Sequence, residues 1–270
     1  MYGKKQRIYL PQWAKDFYRP GKSNYSGITS RIKKNITNTM SIAEKAPQTF
    51  SEPLKSTFKT LLIVIVFGIA FGYIEAAVVV YLRQIFHPNG FTFPMTVFGI
   101  EAISRRILLT EIGREIATIV LIYTAAWLFG RNRQQRIAYF MIIFAVWDIF
   151  YYIWLKALLD WPASIMDWDI LFLIPCTWAS PVLYPVLISV LLIIFAIVIL
   201  YRSSLGRPIK ATPLDWLAFS ASGITMVVSF CIAGLHSTGK DYASYFYWPL
   251  FIAGYLFAIA VFLKCLLRPK

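Results

Sequence analysis

Histidine and cysteine are nearly absent: the 270 residues include two His and three Cys. That leaves no donor set for haem, an iron–sulfur cluster or a His-rich zinc site. Charge is scarce too, at 15% of the chain, where a soluble domain carries about 25%. Acid is the scarcer sign, with 13 Asp and Glu against 27 Lys and Arg. The chain also lacks Walker A, HExxH, GxSxG and CxxCH motifs. Its apolar stretches hold no Ser/His or Cys/His pair suited to nucleophilic catalysis. These absences make an enzyme the weaker expectation. What is abundant is hydrophobic: 58% of residues are apolar and 17% aromatic, which excludes a disordered chain.

Long apolar runs account for that composition. A bilayer core of about 30 Å needs roughly 20 apolar residues in a helix. Six stretches qualify, at about 58–82, 108–129, 137–159, 181–200, 214–235 and 245–267. Backbone groups in lipid must be satisfied within the segment, so the spans are helices. A β-barrel would alternate polar and apolar residues in ten-residue segments, and this chain does not. The fold class expected is all-α, a polytopic bundle of six transmembrane helices spanning residues 58–270.

Placing the N-terminus inside puts 21 Lys and Arg on the inner side and 5 on the outer, with Arg114 inside a span. The positive-inside rule then assigns both termini to the cytoplasm. The expected location is the cytoplasmic (inner) membrane of a prokaryote, ahead of an organellar inner membrane. Residues 1–57 form a basic cytoplasmic tail, with 11 Lys and Arg against Asp16, Glu44 and Glu52. It has no apolar core of a secretory signal, and Pro11 and Pro20 break any long amphipathic helix. It suits anionic headgroups or a partner subunit; with no fold to present the charges, nucleic acid is not an expected partner.

Two connections carry their own signals. His87-Pro88-Asn89-Gly90 reads as a turn, and a short interfacial helix is expected from Thr96, with Glu101 and Arg105 spaced to pair. Before the fourth span, Pro175, Pro181 and Pro185 interrupt a 33-residue interval from Asp169 to Arg202. A broken helix is expected there, with residues 171–180 at the outer interface or dipping in and out. The elbow 160–180 is a second candidate docking surface. Cys176 and Cys231 both fall toward the outer side, where a disulfide is chemically allowed. The plainer reading of the cysteines is small packing residues.

The informative residues are charges where lipid should be. Glu75, Glu111, Arg114, Glu115 and Asp148 fall inside spans, where a charge costs at least ~2.5–3.5 kcal/mol. From the helical rise, Glu75 lies roughly 12 Å and Glu115 roughly 14 Å below the outer boundary, and Asp148 near the midplane. Three spans thus carry acid to one level. Gly68, Gly72 and Ala76 form a small-residue row for close helix contact, and Glu75 lies beside it. Glu111, Glu115 and Thr118 share a stripe with Arg114 alongside. Asp148, Tyr152 and Lys156 lie in line, Lys156 being able to snorkel and add a positive charge. Trp161, Asp169 and Trp178 come from the elbow.

Two readings are open. In one, Arg114 and tyrosine hydroxyls neutralise the acids and lock the bundle. In the other, the acids line an outward-opening site that binds or translocates a small cation or proton, with Glu75, Glu111, Glu115 and Asp148 as acceptors. Arg114 would tune them and Tyr152 bond them. Four acids against one buried Arg favour the second, because surplus charge must be protonated, wet or paired. No cofactor is expected; a bound cation, or a lipid or quinone against the many aromatics, is allowed. The metal question is open, since an all-oxygen site needs no His or Cys. The rival functions are a non-catalytic subunit of a larger membrane complex, such as a respiratory one, and, last, an intramembrane enzyme on a lipid-linked substrate.

Overall fold

A computed structural model describes residues 51–87, 90, 91, 93, 94 and 105–268. The expected interfacial helix from Thr96, its Glu101–Arg105 pair and the tail through residue 50 lie outside the described residues. Among the described residues, six helices are long and apolar enough to cross a membrane. The chain is a multi-pass integral membrane protein built as an all-α bundle. The helices are α1 (Ser51–Phe86), α2 (Arg105–Phe129), α3 (Arg133–Leu159), α4 (Leu183–Ser204), α5 (Pro213–Leu235) and α6 (Trp248–Leu267). Large apolar side chains such as Val66, Ile74, Leu128 and Leu217 are exposed on the bundle's outside, as expected of surfaces that meet lipid.

Local chemistry sets the helix limits. Between α2 and α3 the chain turns at Gly130, where an added Cβ would come within 2.6 Å of the Arg136 nitrogen. Asn132 caps α3, its side chain accepting from the Gln135 N–H at 3.0 Å. α3 stops at Asp160, which adopts a left-handed conformation (φ 53°). α5 begins with a capping box, Thr212 and Asp215 satisfying each other's backbone N–H groups, with Pro213 in the first turn.

The interruption expected before the fourth span takes the form of an antiparallel hairpin. Strand β1 (Trp168–Phe172) pairs with β2 (Trp178–Pro181), with Asp169 opposite Ser180 and Phe172 opposite Trp178. Its aromatic and β-branched residues suit a pleated surface, and the prolines deny a continuous helix there. The hairpin rests on α5 and on the start of α4. Contact with α5 is close: a Cβ on Gly234 would collide with the Thr177 carbonyl and lie 3.1 Å from the Trp178 nitrogen.

α3 packs on α2 and α4, and α5 on α6. The small-residue row of α1 meets α3, where Cβ atoms on Gly68 and Gly72 would lie 2.9 Å from Val146 Cγ1 and from the Trp147 carbonyl oxygen. Phe195 of α4 stacks on Phe262 of α6 with ring centroids 3.9 Å apart. A second apolar cluster, around Met226, Phe230 and Phe251, supports the hairpin end.

Candidate functional site

At the hairpin end a cavity of about 370 Å³ lies among α1 to α5 and the hairpin, within the usual range of small-molecule sites. All six residues singled out from sequence line it: Glu75, Glu111, Arg114, Glu115, Asp148 and Tyr152. The convergence follows from α1, α2 and α3 packing side by side with their acids at one level.

Arg114 bridges two helices. Its Nε donates to Glu111 Oε2 at 2.8 Å, and its Nη1 pairs with Glu75 Oε1. Thr118 Oγ1 donates to the other Glu75 oxygen at 3.3 Å. Glu115 is buried and accepts the Leu173 N–H of the hairpin at 3.0 Å. Asp148 accepts from Ser189 Oγ on α4 at 2.8 Å. Sequence reasoning expected tyrosine hydroxyls on Asp148. The structure corrects this: Tyr151 donates to Asp169 at 3.3 Å, and Tyr152 also bonds Asp169.

Asp169 and Arg83 are lining residues that sequence reasoning left out of the candidate set. Arg83 Nη2 meets Asp169 Oδ1 at 3.2 Å, and its guanidinium lies 4.2 Å from the Phe91 ring centroid and 3.8 Å from that of Trp161. Burial pushes the Asp169 carboxyl above its ordinary range, while Arg83 and the two tyrosines pull it back. Burial and the Arg83 charge both lower the His87 pKa, so this lining imidazole is neutral at neutral pH. The sequence signal for Asp169 was its place between Trp161 and Trp178 in the elbow. Lys156 was expected to add a positive charge. It pairs with Asp160 at 2.7 Å on the exposed end of α3, the four-residue spacing that makes side chains neighbours along a helix.

Among the described residues, the cavity wall therefore carries five carboxylates and two guanidiniums. Arg114 serves Glu75 and Glu111, and Arg83 serves Asp169. Among the described residues, Glu115 and Asp148 have no Lys or Arg within ion-pair distance. Also among these, no group of three or more His, Cys, Asp or Glu could hold a metal ion. Among the described residues, the buried indole nitrogens of Trp147 and Trp178, both lining residues, have no hydrogen-bond partner. Cys176 and Cys231 are free thiols in contact with each other. No family model, curated protein or solved structure matches this chain, so its function has to be argued from the cavity itself.

Proposed function

We propose that this integral membrane protein binds a proton or a small organic cation in the chamber at its hairpin end, the end that the charge distribution assigns to the outer side. One observation carries the reading: Glu115 and Asp148 face one cavity with neutral hydrogen-bond donors as their partners. A buried carboxylate held only by neutral donors binds a proton or draws a counter-cation. The absence of a three-donor cluster among the described residues turns the reading from a bare metal ion toward the proton and organic cations. Glu115 and Asp148 act as acceptors. Glu75, Glu111 and Arg114 form the fixed wall beside them, and Tyr151 and Tyr152 hold Asp169 and the hairpin over it.

The test uses the full chain in lipid nanodiscs and in pyranine-loaded proteoliposomes. Benzyltrimethylammonium binding and proton flux after a pH jump are measured for the natural protein, Glu115→Gln and Asp148→Asn. Each amide variant should fold and weaken binding or flux by about tenfold or more. Undiminished binding and flux in both variants would overturn the proposal.

A further inference from the structure

The chamber has two chemically different sides. Its charges come from α1, α2, α3 and β1. The opposite side is apolar: Pro185 and Ile188 of α4, and Gly223, Met226, Val227 and Phe230 of α5. Neither α4 nor α5 contributes a charged residue to the lining. The stretch of α5 from Gly223 to Phe230 rises about 10 Å, a length that matches an alkyl chain of several carbons. Gly223 adds an open place in that wall, since a Cβ built there would meet nothing within 4 Å.

A group of aromatic rings belongs to the same lining. The Phe172 ring lies 6.3 Å from Trp147 and 5.2 Å from Trp178, centroid to centroid, and all three rings line the cavity. Aromatic faces beside carboxylates are the usual recognition chemistry for a quaternary ammonium. The N–H groups of Trp147 and Trp178, without a partner among the described residues, leave two donors for an oxygen on the ligand's head or a water it brings. An unpaired buried donor costs about 1–3 kcal/mol, which such an acceptor would recover.

We infer that the chamber's ligand is an alkylammonium amphiphile. Its cationic head lies at Glu115, Asp148 and the Trp147–Phe172–Trp178 rings, and its tail runs along the α4–α5 wall past Gly223. This rests on the cation-binding reading above and goes further by naming the ligand class. A wholly hydrophilic cation would leave the α4–α5 wall uncovered, and a neutral lipid would leave the chamber's surplus of acids over arginines without a counter-charge.

The experiment measures quenching of tryptophan fluorescence in nanodiscs by 11-bromoundecyltrimethylammonium. 11-Bromoundecanol serves as the uncharged partition control, and benzyltrimethylammonium binding is measured separately by calorimetry. The charged bromo probe should half-quench at about a tenth of the control's membrane concentration, and Gly223→Leu should remove that advantage while weakening benzyltrimethylammonium binding by a much smaller factor. Gly223→Ala should fall between the two. Equal quenching by charged and uncharged probes, or no effect of Gly223→Leu, overturns the amphiphile while benzyltrimethylammonium binding keeps the cation reading. Binding of neither cation by the natural protein overturns the amphiphile and the organic-cation reading together, and leaves the proton to the flux measurement.

Discussion

The two ends of α5 hold the same kinds of side chain in opposite proportions. At its N-terminus, Asp215 is fully buried by its neighbours and meets Lys264 at 3.0 Å and Arg268 at 2.8 Å, both from the end of α6. Thr212 donates to it from both its backbone nitrogen and its hydroxyl, at 2.8 and 2.7 Å. One acid is matched by two cations, every bond is local to the helix ends, and Asp215 raises the Arg268 pKa in return. At the C-terminal end, five acids among the described residues share two arginines around open volume. The first arrangement is a staple that ties α5 to α6. The second has more negative charge than its own cations can match and room for something else. Ion pairing inside a bundle is therefore not evidence of a site; surplus charge around a cavity is.

The largest expected effect is at Arg83. Arg83→Ala strips the counter-charge from buried Asp169, and breaking such a pair costs about 3–5 kcal/mol. Thermal unfolding in nanodiscs should show the loss. The penalty should grow with pH. Without Arg83 the Asp169 carboxyl rises further above its ordinary value, so the folded state binds the proton more tightly than the unfolded chain. Stability then falls as pH climbs above about 4. A deficit that is flat with pH would mean Asp169 does not need Arg83.

Next is Gly234→Ala, which pushes the Thr177 carbonyl and should destabilise by about 1–3 kcal/mol while loosening the hairpin. Faster hydrogen exchange of the Leu173 and Trp178 amides would show it. Thr212→Ala removes the helix cap at the other end of α5 and should cost about 1 kcal/mol, with ligand binding unchanged. The smallest stability effect belongs to Asp148→Asn, because an uncompensated charge leaves with the substitution. A melting temperature within a degree or two of the parent, combined with lost cation binding, would sharpen the contrast between the two ends. A large drop in stability would instead make Asp148 a staple like Asp215.

Much of this was legible in the chain. Span number followed from apolar length, and the level of Glu75, Glu115 and Asp148 followed from helical rise, because a helix converts residue count into depth. The Gly68–Gly72–Ala76 row pointed to close contact, and Gly68 and Gly72 do meet α3. The hairpin was not legible: short apolar runs between prolines have no period that separates strand from broken helix. Nor was the Arg83–Asp169 pair, whose partners are 86 residues apart and leave no local pattern. Ser189, the donor to Asp148, was hidden for the same reason inside an uninterrupted apolar run.

The central claim is that surplus carboxylates in the chamber hold a cation. Calorimetric titration of benzyltrimethylammonium into nanodisc-embedded protein tests it most directly, comparing the natural chain with the Glu115→Gln/Asp148→Asn double variant. The account predicts a saturable heat in the natural protein that disappears in a double variant with an unchanged unfolding transition. Equal heats from the two proteins, or no saturable heat from either, would contradict it.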